Sequence, residues 1–145
     1  MEVFTIGFTQ STAAHFFGRL RAAGIRRLLD VRLNNVSQLA GFAKRDDLAF
    51  FLHELCGAEY VHEPLLAPNL EMLDEYKKQK GSWIEYERQF LELMAERKIE
   101  QGVSRGMFAV PTVLLCSEAT AEQCHRRLVL EYLQEHWRGF TITHL

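Results

Sequence analysis

Residues 25–32 read IRRLLDVR, a run in which apolar side chains give way abruptly to charged ones. A short apolar run of this kind predicts a buried strand, which we place over residues 25–31. The apolar run over residues 3–8 predicts an earlier strand. Between the two, Ser11 is a candidate N-cap for a helix over residues 12–23. The start of the chain therefore has the strand–helix–strand order of a parallel sheet.

The rest of the chain continues this alternation. Further strands are predicted over residues 58–62, 112–116 and 140–144. Further helices are predicted from Asp46 to Gly57, from Ser82 to about Glu100 and from Thr120 to about His136. Two prolines, Pro64 and Pro68, predict an irregular segment between the third strand and the second of these helices. Trp83, Tyr86 and Phe90 share one face of that helix and are expected to pack into the core.

Length and composition fit one domain over residues 1–145. The chain has 48% apolar and 25% charged residues, which is typical of globular proteins. We expect an α/β fold with a mostly parallel central sheet flanked by helices, in a Rossmann-like or flavodoxin-like layering. The net charge of -2 argues against a nucleic-acid binder that works by bulk positive charge.

The cysteines are Cys56, Cys116 and Cys124. An odd number predicts free thiols and a reducing compartment. The first residues lack the basic and apolar regions of a signal peptide, and no apolar run is long enough to span a bilayer. We therefore expect a cytoplasmic protein without a membrane partner.

Polar side chains follow the predicted strands, where ligands of parallel sheets bind. Arg32 follows Asp30, and it is either a fork for a phosphate or carboxylate or an ion pair with Asp30 at the sheet rim. Cys116 is either a thiol activated by a nearby helix N-terminus or a small core residue. Glu118 is either a general acid or base or an exposed capping residue. His62 ends the third strand.

Cys124, His125 and Arg126 fall in the first turns of the helix predicted from Thr120. Neighbours on a helix point about 100° apart, so the three cannot share one face. Cys124 is expected on the packed face, and His125 and Arg126 on the flank. There they could help the free amides of the helix N-terminus to bind an anion.

A metal site is weighed and not favoured. Zinc-ligand types are present at Cys116, Cys124, His125 and His62, but the paired C-x₂₋₄-C spacing is absent. Neighbours on a helix also seldom bind one ion together. We therefore expect no metal and no cofactor, and keep a dithiol switch between Cys116 and Cys124 as a minor alternative, since no C-x-x-C motif is present.

Two segments resemble a known family. LLCSE at residues 114–118, with CHR at 124–126, resembles the LLC-x-E…CHR signature of the domain-of-unknown-function 488 family. DVRLNNVS at 30–37, with GFAK at 41–44, resembles that family's DVR…S…GF-x-K segment. Weaker matches are TIG at 5–7 and YVH at 60–62. The resemblance implies a compact α/β fold, brings Ser37 into the ligand-binding set, and implies no established activity.

The sequence departs from the family pattern at several positions. Phe8 and Thr9 stand where the family usually has His and Ser. Asn35 and Gln38 stand where it usually has Pro and Arg, and Leu65 replaces the Glu of a P-E-L-G segment. A His, an Arg and a Glu are thus missing from the polar set that the resemblance implies.

The leading hypothesis is an enzyme-like domain that binds a phosphate-bearing ligand, either a nucleotide or a nucleic-acid end. Its anion-binding residues would be Arg32, Ser37, Thr120 and Arg126. Its catalytic residues would be Cys116, Glu118 and His125, supported by Asp30, Cys124 and His62. The alternatives are a non-catalytic binding module, which the missing family residues favour, and a thiol-based sensor.

Overall fold

The computed structural model describes residues 1–36, 40–118 and 121–145. Within these residues the chain forms one five-stranded sheet in which every neighbouring pair is parallel, in the order β3-β2-β4-β1-β5. The strands are β1 (Glu2–Gly7), β2 (Arg27–Asp30), β3 (Glu59–His62), β4 (Thr112–Cys116) and β5 (Thr141–His144). The predicted α/β fold with a parallel sheet is confirmed.

The helices lie between the strands in sequence. They are α1 (Ala13–Ala22), α2 (Arg45–Phe51), α3 (Leu70–Lys77), α4 (Trp83–Arg97), α5 (Ile99–Gly102) and α6 (His125–His136). A π-helical turn, Leu52–Cys56, continues α2, and short 3₁₀ turns occupy Gly41–Ala43, Pro64–Leu66 and Arg105–Phe108. None of these helices combines the length and apolar composition that a membrane crossing requires.

Helices cover both faces of the sheet, because successive strand residues point to opposite sides. Val113 and Leu115 of β4 face a cluster that includes Phe16 of α1 and Leu48 of α2. Leu114, between them, faces a second cluster. Residues of α3, α4, α5 and α6 contribute to this second cluster, among them Met72, Phe90, Ile99 and Leu128. The three-layer arrangement agrees with the predicted layering.

Several helix ends differ from the predictions. Thr12, rather than Ser11, caps α1, and its hydroxyl accepts a hydrogen bond from the His15 amide at 3.1 Å. Asp46 lies in the first turn of α2 instead of capping it. Gly57 ends the helical segment as predicted, in a left-handed conformation with φ of 61°. Ser82 caps α4 as predicted, with its hydroxyl 3.1 Å from the Glu85 amide.

The segment after Pro68 contains a helix that the prediction of an irregular segment missed. Asn69 caps α3, and its side-chain oxygen accepts from the Met72 amide at 2.8 Å. Pro68 lies before the cap, where its missing amide costs the helix no hydrogen bond. The two prolines therefore delay this helix without preventing it.

The start of α6 is the correction that matters most. The predicted start at Thr120 is wrong, because the helix begins at His125, and Thr120 itself lies outside the described residues. Cys124 is the N-cap residue, with an extended backbone of φ -139° and ψ 138°. The loop between β4 and α6 is therefore longer than predicted, and its described residues, 117–118 and 121–124, are not helical.

Candidate functional site

The carboxyl ends of β2 and β4 meet at one edge of the sheet. Asp30 is in register with Leu115, and the Val31 amide donates to the Leu115 carbonyl at 3.2 Å. A cleft of about 160 Å³ opens beyond this edge. Its walls come from the ends of β2 and β4, from α3 and α4, and from the start of α6. The predicted site residues on these walls are Arg32, Cys116, Glu118, Cys124 and His125.

The cleft is small. Sites that enclose a drug-sized ligand usually measure roughly 300–1,000 Å³. A volume of about 160 Å³ therefore accommodates a phosphate group or a single ring, and a larger ligand would extend into solvent.

Arg32 and Asp30 form a buried ion pair at the end of β2. Asp30 is fully buried, and its carboxylate accepts from Nε and Nη2 of Arg32, each at 2.8 Å, and from the Arg32 amide at 3.1 Å. The same carboxylate accepts from the Tyr60 hydroxyl at 2.6 Å. Asp30 thus holds Arg32 in one orientation, which is the supporting role expected for it.

One nitrogen of Arg32 remains without an acceptor. Arg32 is only 3% exposed, and its Nη1 is buried with no hydrogen-bond partner among the described residues. The guanidinium also lies over the ring of Phe8, 5.3 Å from the ring centre. The ring attracts the positive charge of the guanidinium. It does not provide a hydrogen-bond acceptor for Nη1, which lies in the guanidinium plane. Both alternatives for Arg32, the ion pair and the open fork, are therefore compatible with this geometry.

Residues of β3 and the loop after β2 complete this network. Asn35 donates to the Tyr60 hydroxyl at 3.0 Å, and His62 Nε2 donates to the Arg32 carbonyl at 3.1 Å. Burial and the hydrogen bond to Asp30 raise the pKa of Tyr60, so its phenol stays protonated and donates. The sequence analysis missed Tyr60. Its signal was the pairing of β2 with β3, which sets Leu28 beside Tyr60 and Asp30 beside His62.

Arg126 is buried, and the expectation that it points to the flank of the helix is wrong. It is 0% exposed. Its Nε donates to the Thr5 hydroxyl at 3.3 Å, and its Nη1 donates to the Glu118 carbonyl at 2.6 Å and to Cys116 Sγ at 3.6 Å. Burial lowers the pKa of Arg126 to about 10, which still leaves it protonated at neutral pH. Arg126 therefore ties β1, β4 and the following loop together.

Gly7 makes room for this contact. A Cβ atom at Gly7 would overlap the carbonyl group of Glu118 and the guanidinium of Arg126. Gly7 is also paired with Cys116 across the two strands. The close approach of the backbone after β4 to the end of β1 therefore requires glycine at this position.

Cys116, Cys124 and His125 lie together at the base of the cleft. The structure joins Cys116 and Cys124 in a disulfide, so the expectation of free thiols holds only for Cys56. His125 Nε2 donates to the Val31 carbonyl at 2.7 Å. Burial lowers the pKa of His125 to about 4, so the ring is neutral at pH 7 and carries its proton on Nε2.

Glu118 lies at the mouth of the cleft. Its carboxylate forms an ion pair with Lys77 of α3, and its side chain is 40% exposed. This environment is solvated, unlike the apolar pocket that prepares a carboxyl group for general acid catalysis.

An aromatic wall lines the other side of the cleft. Trp83 stacks on Tyr86 with ring centres 5.3 Å apart, and Tyr76 of α3 lies 5.7 Å from Trp83. Tyr86 and Phe90 are buried as the helix pattern predicted, but Trp83 and Tyr86 also line the cleft. The sequence analysis missed Tyr76, because it placed no helix in that segment.

Other predicted residues lie away from the cleft or beyond the described residues. Ser37, Gln38 and Thr120 are not among the described residues. Leu65 is partly exposed in a 3₁₀ turn, where its amide donates to the Glu63 side chain. His62 contacts the site through its strand pairing with Asp30 and through the hydrogen bond that its Nε2 donates to the Arg32 carbonyl.

Comparison with known proteins identifies the family. The family model described as "Domain of unknown function DUF488" matches residues 12–133. No curated protein and no solved structure matches the chain. The matched span covers most of the chain, so the protein belongs to the DUF488 family, and the predicted family membership is confirmed.

Proposed function

We propose that this DUF488 protein binds a phosphate-bearing ligand, a nucleotide or a nucleic-acid end, in the cleft beyond β2 and β4. The observation that carries the proposal is Nη1 of Arg32, a buried donor with no partner among the described residues, on a side chain that lines the cleft. An unpaired buried donor costs about 1–3 kcal/mol, so an acceptor supplied by a ligand is strongly favoured there.

The surroundings of Arg32 support an anion rather than a neutral ligand. Asp30 accepts from two nitrogens of the guanidinium, and the third has no partner among the described residues. Lys77 also lines the cleft and is half exposed, so it can turn from Glu118 towards a phosphate. The 12-residue helix α6 adds its N-terminus, where no described side chain caps the amides. Arg126 supports this arrangement indirectly, by fixing the loop after β4.

The aromatic wall supports a ligand with a planar ring. Trp83 and Tyr76 border the same cleft, and a base stacked on an aromatic side chain gains about 1–3 kcal/mol. A nucleotide would place its phosphate at Arg32 and its base against Trp83, extending beyond the small cleft into solvent.

Tryptophan fluorescence tests the proposal directly. The chain has two tryptophans, so the substitution Trp137→Phe leaves Trp83 as the single reporter at the cleft. Titration with nucleoside monophosphates should quench Trp83, inorganic phosphate should compete, and the matching nucleosides should bind much more weakly.

Arg32, two residues beyond β2, and Arg27, the first residue of β2, provide a matched pair of variants. Arg32→Lys keeps the charge beside Asp30 but loses the planar fork, and it should weaken binding about tenfold or more, since about 1.4 kcal/mol is a factor of ten. Arg27→Lys, at the opposite end of β2, alters an ion pair with Glu59 and a hydrogen bond to the Met107 carbonyl. Neither contact lies at the cleft, so affinity should stay unchanged. Equal binding by the Arg32→Lys and parent chains would overturn the proposal.

Whether the cleft also catalyses a reaction is a separate part of the proposal. Cys116 as nucleophile, with His125 and Glu118 as acid–base groups, would make the protein an enzyme. Turnover of a bound phosphoester that disappears in both Cys116→Ser and Glu118→Gln supports this. Binding that persists in both variants, with no turnover in the parent chain, supports the binding module instead.

A thiol-based sensor is the second candidate, and the pairing of Cys116 with Cys124 favours it. A sensor predicts that ligand affinity differs between the reduced chain and the disulfide form. Equal affinity in both forms, measured by the same fluorescence titration, would exclude it.

We also propose a cytoplasmic location, where thiols are kept reduced.

A further inference from the structure

We propose that the reduced chain holds one zinc ion between the sulfurs of Cys116 and Cys124 and the ring of His125, with a fourth coordination position open to the cleft. This site is independent of the phosphate proposal, because it is tested with the metal alone. It also reverses the expectation drawn from sequence spacing that no metal is bound.

The three ligand atoms are already close. Each of the three residues offers one sulfur or ring nitrogen, and these atoms all lie within 4.8 Å of one another. A tetrahedral zinc ion with bonds of about 2.0–2.3 Å spaces its ligands roughly 3.5–4 Å apart. Small side-chain rotations are therefore enough to accommodate the ion.

The backbone at the start of α6 removes the objection against neighbouring ligands. Residues within a helix point about 100° apart. Cys124, however, is the extended N-cap residue and His125 is the first helical residue. The backbone changes from extended to helical between these two residues. Their side chains can therefore both face Cys116, with which they form one cluster.

The outer contacts of the cluster suit metal ligands. A zinc-bound histidine usually donates its other ring N–H to a carbonyl or carboxylate, which fixes the ring. His125 does this with the Val31 carbonyl, leaving the lone pair of Nδ1 for the ion. Arg126 donates from Nη1 to Cys116 Sγ, and a nearby positive charge favours the thiolate form.

The spacing of the two cysteines suits an ion between their sulfurs once the disulfide is reduced. Their Cα atoms lie 7.4 Å apart, whereas disulfides usually span about 4.4–6.8 Å. Cys116 is 1% exposed and Cys124 is 3% exposed, so water has little access to their sulfurs in the reduced chain. One divalent ion balances the charge of two thiolates.

Three protein ligands with an open position are typical of zinc ions that bind water or substrate. Here the open position faces the cleft, because all three ligands line it. Zinc is favoured over magnesium or calcium, since sulfur and imidazole are ligands for the softer metals and the hard cations prefer oxygen.

Metal titration of the reduced, metal-free chain tests the proposal. We expect one equivalent of Zn²⁺ per chain in competition with a chromophoric chelator, and no binding by the disulfide form. One equivalent of Co²⁺ should give the intense visible bands of a tetrahedral ion together with thiolate charge-transfer absorption.

Cysteine variants supply the matched controls. Cys116→Ser and Cys124→Ser should each lower zinc affinity about 100-fold or more, because ligands contribute more than the outer contacts whose loss costs roughly 10–100-fold. Cys56→Ser should bind as the parent chain does, since Cys56 does not belong to the cluster.

Failure to take up zinc in the reduced chain, or unchanged affinity in both serine variants, would overturn the site. If the serine variants do not fold, the cobalt spectrum of the parent chain decides. An octahedral spectrum without thiolate absorption would then refute the proposal. Loss of metal binding alone leaves the nucleotide titration unaffected, so the two proposals fail separately.

Discussion

Two buried arginines, Arg32 and Arg126, lie near the carboxyl ends of β2 and β4, but they make different contacts. Arg126, near the end of β4, donates to acceptors from β1, from β4 and from the loop that follows. Arg32, at the end of β2, is held on one side by Asp30 and keeps a donor that no described residue accepts. Both guanidinium groups are almost completely removed from solvent.

The difference shows that burial of a charge does not by itself mark a binding site. Arg126 links segments of the chain, and its loss should affect folding. Arg32 keeps one donor without an acceptor among the described residues, and its loss should weaken ligand binding. The sequence analysis gave the two residues the same role, because both were expected to be exposed at strand or helix ends.

Gly7→Ala should have the largest effect on stability, because it disrupts the contact between Arg126 and the Glu118 carbonyl. The added methyl would overlap the Glu118 carbonyl, a backbone atom that cannot turn away. We expect a loss of about 4–5 kcal/mol in the free energy of unfolding, measured by urea denaturation, or failure to fold.

Gly18→Ala is the matched control. Gly18 lies within α1, and a Cβ there meets nothing within 4 Å. Alanine should stabilise the helix by about 0.5–1 kcal/mol. The two glycine substitutions should thus have opposite signs, and a destabilisation of similar size in both would contradict the close approach at Gly7.

Arg126→Met should come second. It leaves the Glu118 carbonyl and the Thr5 hydroxyl without their donor, and we expect a loss of about 2–3 kcal/mol by thermal or urea unfolding. Phosphate affinity, measured well below the melting temperature, should fall much less than in Arg32→Lys, because Arg126 acts on the cleft only through the loop after β4. A large loss of affinity with unchanged stability would exchange the roles assigned to the two arginines.

Tyr60→Phe should have the third-largest effect on stability. It tests the carboxylate of Asp30, which holds Arg32. The phenol donates to the Asp30 carboxylate, and hydrogen bonds to charged groups contribute about 1.5–3 kcal/mol, of which we expect the lower end. The remaining bonds from Arg32 still satisfy the carboxylate. Urea denaturation measures the loss, and an unchanged midpoint would show that the Tyr60 contact does not hold Asp30.

Lys77→Ala should have the smallest effect on stability, under about 1 kcal/mol, because its ion pair with Glu118 is solvent-exposed. The same variant should weaken binding of a nucleoside monophosphate at low salt. Raising the salt should reduce the difference between the variant and the parent chain. A stability loss as large as that of Tyr60→Phe would mean that this pair is structural.

The fold could be predicted largely from local patterns. Short runs located all five strands, most clearly β1, β2 and β4, because strands buried on both faces give continuous apolar stretches. Ser82 correctly marked the start of α4, where a hydroxyl cap and apolar spacing agree. The failures lie where local signals compete. Asn69 starts a helix directly after two prolines, and Thr120 resembled a cap although α6 begins at His125.

The site was predictable as a location but not as a geometry. Arg32 and Cys116 were expected at one sheet edge because parallel strands share their carboxyl ends. The strand order, which sets β2 beside β4, depends on long-range packing that no local pattern contains. The inward direction of Arg126 likewise depends on Thr5, a residue far away in the sequence.

The place of β1 in the sheet governs when the protein can finish folding. Val3 pairs with Thr112 on one side and with Ile142 on the other, so the first strand has no partner until the last strands exist. During synthesis, its apolar residues must wait exposed while most of the polypeptide is made. Such non-local pairing slows folding and lengthens exposure to aggregation. We therefore expect the nascent chain to be the form of this protein most exposed to aggregation.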